Sequence, residues 1–162
     1  MGGASSSLLT NNAAAELDIY LSYPEKTEYI NKMMDTLQTM NLKVMDSSIM
    51  IQSRKDLSIS DISKYMEIFI EKTKYIFVCI SSNTIKSVTQ IMEINGIMEK
   101  CQTKTKIIYF MLDELYTPNT NPELNSIIKQ NQWYPIYDEN SLLYITNQLL
   151  IDLFMNNENE NY

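Results

Sequence analysis

The sequence predicts an α/β protein, a three-layer sandwich with a central parallel sheet and helices on both faces. Three observations carry this. Residues 75–80, Tyr-Ile-Phe-Val-Cys-Ile, form a continuous apolar run, rich in β-formers and too short to span a membrane. Such a run reads as a strand covered on both faces, the setting of a parallel sheet. Before it, Ile62, Tyr65, Met66, Phe69 and Ile70 recur at helical spacing, and after it comes a second helical stretch that contains Glu93. This alternation of strands and helices continues along the chain and fits a flavodoxin-like architecture.

The elements follow in order. Residues 1–15 lack charge, aromatics and periodicity and read as a flexible tail. They do not form a secretory signal, because the basic start and apolar stretch are missing. Leu17–Ser22 is the first strand. Ser22-Tyr23-Pro24-Glu25 reads as a helix start, with serine as cap and glutamate closing a capping box. The helix that follows carries Ile30, Met33, Met34 and Leu37 on one face. Leu42–Met45 is a short second strand, and Asp46–Lys55 a polar connector. Ser87 and Gln90 form a candidate capping box for the helix bearing Glu93. Lys106–Met111 is a fourth strand, Thr117–Glu123 an irregular loop, and Tyr134–Tyr137 a short edge strand, where Pro135 is tolerated. Ser141 caps a last helix with Leu142, Ile145, Leu149, Leu150 and Leu153. The domain is expected over 16–155, with an acidic tail at 156–162.

Composition narrows the chemistry. The 162 residues carry a net charge of −7, and every basic residue lies between Lys26 and Lys129. No basic face is available for phosphates, so nucleic acid is not an expected partner. With no histidine, Ser-His and Cys-His nucleophiles and most zinc sites are excluded, and no metal is expected. Glycine occurs only at positions 2, 3 and 96, so neither a Walker loop nor a dinucleotide GxGxxG can form. The two cysteines, Cys79 and Cys101, make no disulfide framework and fit a reducing, cytoplasmic compartment. Cys79 falls inside the apolar strand and reads as a small hydrophobe. A phospho-acceptor receiver domain is set aside, because the first and third strands end in Ser22-Tyr23 and Ser81-Ser82 instead of acids.

Several of these segments carry a resemblance. The first strand ends in a serine-tyrosine pair, Ser22-Tyr23; Glu71-Lys72-Thr73-Lys74-Tyr75 leads from helix into strand; and the next helix opens at Ser87 with Glu93 six residues on. In this order and spacing, over about Glu16 to Phe154, the chain resembles the Toll/interleukin-1 receptor (TIR) domain. The resemblance implies an interaction module acting in or against signalling by assembly with itself or with other TIR domains. It also implies an alternative, an NAD glycohydrolase in which Glu93 is the catalytic carboxylate and NAD is the substrate, with no bound cofactor. A fixed carboxylate there would stabilise or capture the oxocarbenium-like centre left by nicotinamide. Glu93 is then expected near Ser22, Tyr23 and the 46–55 loop with its carboxylate accessible; the other reading is a solvated residue on a helix surface. Two departures weigh against catalysis. Thr89-Gln90 stands where the family often has a tryptophan-cysteine pair, and the proline-glycine turn usual in the connector is missing.

The remaining candidates have two readings each. Ser22 and Tyr23 either contact the substrate or serve as helix cap and packing residue. Arg54, the only arginine, either pairs with a phosphate or is one more exposed loop charge. Ile49, Met50 and Ile51 form an interaction patch for TIR assembly or fold back onto the core. Trp133 is expected as a partly buried packing residue. At the N-terminus, Met1-Gly2-Gly3-Ala4-Ser5-Ser6 fits the N-myristoylation pattern, with Gly2 as the acceptor. A single myristoyl chain gives only weak, peripheral membrane association.

Overall fold

The computed structural model describes residues 17–49, 58–100, 106–113, 122–130 and 133–136, and isolated helical positions between 140 and 155. In chain order the elements are β1 (Leu17–Ser22), α1 (Glu28–Thr39), β2 (Val44–Met45), α2 (Ile59–Lys72), β3 (Thr73–Ile80), α3 (Val88–Lys100), β4 (Lys106–Met111), α4 (Pro122–Gln130) and β5 (Trp133–Pro135). A single 3-10 turn, Thr84–Lys86, precedes α3. The expectations at Gly2, the 1–15 tail, Met50, Ile51, Arg54, Cys101, Ser141 and the 156–162 tail lie outside the described residues; the last helix is described only at isolated positions, of which Asn140 is already helical, one residue before the expected cap.

The strands form one five-stranded parallel sheet in the order β2-β1-β3-β4-β5. The apolar run of β3 lies at its centre, paired with β1 through Ile76↔Tyr20 and with β4 through Ile76↔Ile107. Strand alternation then sorts the side chains onto two faces. Ile19, Leu21, Phe77, Cys79 and Phe110 pack against Ile30, Met33, Met34 and Leu37 of α1. On the opposite face Tyr20, Ile76, Val78 and Ile80 meet Met66, Phe69 and Ile70 of α2, Ile94 and Ile97 of α3, and Leu124 of α4. The Phe77 and Phe110 rings lie 5.2 Å apart on the first face. Cys79 is a free thiol with no exposure, as a small hydrophobe should be.

Four local readings need correction. Ser22 does not start α1: it is the last, fully buried residue of β1, and Thr27 is the cap, its hydroxyl accepting from Ile30 N. Residues 122–130, partly assigned to a loop, form α4, with Pro122 at the first helical position, where its missing N–H costs nothing. Strand β2 begins at Val44, not Leu42, because Leu42 completes the end of α1. There Asn41 adopts φ 62°, Asn41 N donates to Gln38 O and Leu42 N to Leu37 O, a Schellman closure with Leu37 and Leu42 both packed on the core. The edge strand is Trp133–Pro135, with Trp133 half-buried against Tyr109 at 4.9 Å and Pro135 exposed.

Asn41 holds the left-handed conformation that glycine adopts without penalty. Asn41→Gly is expected to leave the fold as stable or raise its stability by a few tenths of a kcal/mol, and Asn41→Val to lower it by about 1–2 kcal/mol. Urea denaturation of the three proteins checks the order.

Candidate functional site

The C-terminal ends of parallel strands leave a crevice where the strand order reverses, here between β1 and β3. What fills it follows from strand period. Tyr20 and Ser22, two residues apart on β1, point to the same face, toward α3. Glu93 stands on the inner side of α3, one turn below Thr89. The Tyr20 hydroxyl donates to Glu93 Oε2 at 2.5 Å and the Ser22 hydroxyl donates to Oε1 at 3.2 Å. Tyr20 and Ser22 have no exposure and Glu93 is 1% exposed. The resemblance placed Glu93 beside Ser22, and it is there. The accessible carboxylate expected with it is not: the group is turned into the fold, closed off by the strand it binds.

A second carboxyl lies behind the first. Asp46, directly after β2, is fully buried. Its Oδ2 accepts from the Tyr23 hydroxyl at 2.8 Å, and its Oδ1 from Ile49 N at 2.7 Å, which caps the helical turn at 47–49. Ile49 is half-buried and packs against the α2–α3 side of the core, the inward reading of that residue. Burial pushes Glu93 from its ordinary 4.5 up to about 8. The Tyr20 and Ser22 hydrogen bonds pull it down, and the Asp46 charge adds to the rise. Burial also raises Tyr20, helped by the Glu93 charge, and raises Tyr23, helped by its bond to Asp46.

Above this layer a cleft of about 350 Å³ is lined by Tyr23, Pro24, Lys26, Ser47, Ser48, Ser87 and Thr89. It holds five hydroxyls and one cation, the groups that bind a polar, hydroxylated or anionic ligand. Tyr23 is on its wall; Ser22 is not, because its hydroxyl is engaged with Glu93. Ser87 caps α3 by accepting from Gln90 N at 3.1 Å. The expected capping box is half formed: the Gln90 side chain does not return to Ser87 but runs inward, its Nε2 donating to Cys79 O at 2.7 Å. The rim is pinned across strands, with Ser82 N donating to Asp113 at 2.6 Å and Asn83 Nδ2 to Glu25 at 2.6 Å. Among the described residues no group of His, Cys, Asp and Glu could hold a metal, and no helix is long and apolar enough to cross a membrane.

Sequence reasoning expected the 46–55 loop beside Glu93 without singling out Asp46, Ser47 or Ser48, and it missed Tyr20 and Lys26. A tyrosine in an apolar strand needs a partner for its hydroxyl, and an aspartate closing a strand needs donors. Both signals were present without naming the partner.

The sign of the Glu93 shift sets a pH dependence. A carboxyl raised in the fold contributes stability that is full below its unfolded value and is lost as pH rises through its folded value. Between pH 4.5 and about 8 the folded chain is expected to lose roughly 4–5 kcal/mol from this group. Glu93→Gln, which stays neutral, is expected to flatten that slope and to be the more stable protein at pH 8. Denaturant midpoints measured across the range check both.

No protein-family model matches the chain, and no curated protein does. Solved structures do. The TIR domain of the Toll-related receptor TRR-2 from Hydra magnipapillata superposes with a TM-score of 0.56 at 17% identity, over 84% of this chain and 97% of that one. The TIR domains of the activated Roq1 resistosome, which directly recognises the pathogen effector XopQ, give 0.45 at 14% identity, over 88% and 76%. With its parallel 2-1-3-4-5 sheet and its likeness to the Hydra domain, the chain has a TIR-like fold.

Proposed function

We propose that this chain is a TIR-like interaction module, working in or against signalling by assembling with copies of itself or with other TIR domains. A myristoyl chain on Gly2 attaches it weakly to a membrane, and assembly strengthens the attachment because several acyl chains then act together. The observation that carries the reading is the orientation of Glu93. Both of its oxygens are bound by β1 hydroxyls and it is 1% exposed, so it serves as a tie between strand and helix. That role leaves the domain its outer surfaces to work with.

One observation favours the second reading, an NAD glycohydrolase. The hydroxyl-lined cleft opens at the strand ends, and Thr89 on its wall is one helical turn, ~5.4 Å along the axis, from Glu93. In that reading the Glu93 carboxyl swings toward the cleft, Ser22 and Tyr23 contact the substrate, and Arg54 pairs with its phosphates. Nicotinamide release from NAD by the purified full chain separates the two. The interaction reading expects none above background; release that Glu93→Gln abolishes would assign the enzyme instead.

Assembly is expected in sedimentation velocity of the full chain over rising concentration, alone and mixed with other TIR domains. A chain that stays monomeric and binds none would overturn the module. For the lipid, mass spectrometry of the N-terminal peptide from a eukaryotic host is expected to find a myristoyl group on Gly2. Gly2→Ala is expected to reduce vesicle flotation; equal flotation of the two proteins would remove the membrane from the proposal.

A further inference from the structure

Charge is sorted along the strand direction. The strands are all parallel, so each connecting helix returns from the C-terminal edge of the sheet to the edge where strands begin. That starting edge gathers the first residues of strands and the last turns of helices. Lysine recurs at both. Lys43 stands just before β2, Lys74 is second in β3 and Lys106 opens β4; Lys72, Lys100 and Lys129 lie in the last turns of α2, α3 and α4. Lys43, Lys72, Lys74 and Lys129 are exposed. Among the described residues the acids at this edge are Asp18, Glu71 and Glu99. Asp18 is already engaged, accepting from Lys43 N at 2.8 Å and pairing with Lys74 at 3.8 Å. The opposite edge has the reverse sign: Glu25, Glu28, Asp61 and Asp113 outnumber Lys26 and Lys86.

A lysine in the last turn of a helix offsets its dipole, which accounts for Lys72, Lys100 and Lys129 without any partner. It does not account for Lys43, Lys74 and Lys106, because a sheet has little net dipole for their charge to meet. A chain of net charge −7 needs no basic face for solubility either. Composition hides this face, since it counts charge without placing it. Distance keeps the two edges electrically apart. Strands of six to eight residues set them ~20–26 Å from each other, two Debye lengths or more at ~0.1 M salt. An anionic surface laid against the lysine edge therefore meets local positive charge, and the acids beyond are screened.

The course of the chain decides which anionic surface fits. Strand β1 begins at Leu17 on this same edge, so the residues before it, with the Gly2 myristoylation pattern, join the fold there. One acyl chain holds a protein only marginally, and stable attachment takes a second signal such as a basic patch. No basic residue precedes Lys26; the folded edge supplies the charge that the tail lacks. We infer that the edge where the strands begin is a docking surface for an anionic lipid leaflet, with Lys43, Lys72, Lys74 and Lys129 against the headgroups and the Gly2 acyl chain beside them. This rests on the lipid-anchored reading above and gives it its second signal. It also orients the domain, because the hydroxyl-lined cleft at the far ends of the strands then faces away from the bilayer.

Vesicle flotation of the full chain from a eukaryotic host tests this. At ~0.1 M salt, vesicles of phosphatidylcholine with ~30% phosphatidylserine are expected to bind it at least about tenfold more tightly than phosphatidylcholine alone. At ~1 M salt, where the Debye length is about 3 Å, that preference is expected to vanish. Lys43→Gln, Lys72→Gln and Lys129→Gln together are expected to remove it at low salt, since each lysine near an anionic surface is worth about fivefold. The matched triple Lys32→Gln, Lys64→Gln and Lys86→Gln, away from that edge, is expected to keep it within about twofold. Circular dichroism checks that both triples fold. No preference for the anionic vesicles, or equal loss in the two triples, overturns the surface; if Gly2→Ala still lowers flotation, the acyl anchor stands without it. A lysine-dependent preference that Gly2→Ala leaves unchanged keeps the surface and removes the acyl chain from it. Tighter lysine-dependent binding of a labelled DNA duplex than of the vesicles would assign the edge to nucleic acid and overturn the proposal.

Discussion

Glu93 is held on both oxygens by hydroxyls of β1, with no cation among the described residues paired to it. A buried carboxyl in that position must be fully hydrogen-bonded or carry its proton, since an unpaired charge there is far costlier than either. Much else in the domain follows from that tie. It needs a tyrosine at position 20 long enough to reach α3, and a small hydroxyl at 22 where the strand ends. It also fixes the rotation of α3, because bringing Glu93 and Gln90 inward leaves Val88 and Met98 outside.

The strand ends around this tie are cross-linked by polar contacts. Asp46 joins the end of β2 to Tyr23 and to its own following turn; Asp113 and Glu25 receive the loop after β3. The part-buried Tyr23 hydroxyl and Ile49 amide are satisfied in this way, and the exposed Ser82 amide and Asn83 side chain tie down the rim. The result is a cleft with held walls and a floor of two carboxyls that are committed to the fold. A ligand bound there would meet hydroxyls and Lys26 first.

Conventional α/β proteins place chemistry at this crevice, and fold alone does not determine whether this chain does so. The balance rests on where a few polar groups point. Here the strongest candidate points inward, while the helix that carries it turns apolar residues to solvent. Both facts come from one rotation of one helix, so the closed carboxyl and the exposed apolar face are two aspects of the same packing choice.

The strands and the helices between β1 and β4 were legible in the amino-acid sequence because they depend on local pattern; α4, which begins inside a stretch read as a loop, was not. The unbroken apolar run at 75–80 requires cover on both faces, so it belongs at a sheet centre, and β3 is there; Leu17–Ser22 and Lys106–Met111 were readable to the residue. Residues whose partners are distant along the chain were not legible. Ser22 carries the same cap signature whether it starts a helix or binds a carboxyl 71 positions away, and only the pairing of β1 beside α3 decides. Gln90 stands at a capping-box position and yet reaches Cys79 O across the core, because a buried carbonyl is the stronger demand. Local pattern was enough for the sheet, for helices α1 to α3 and for a lone glutamate after the third strand. The tertiary structure alone decided that this glutamate faces inward, since solvent access is a property of packing and not of spacing.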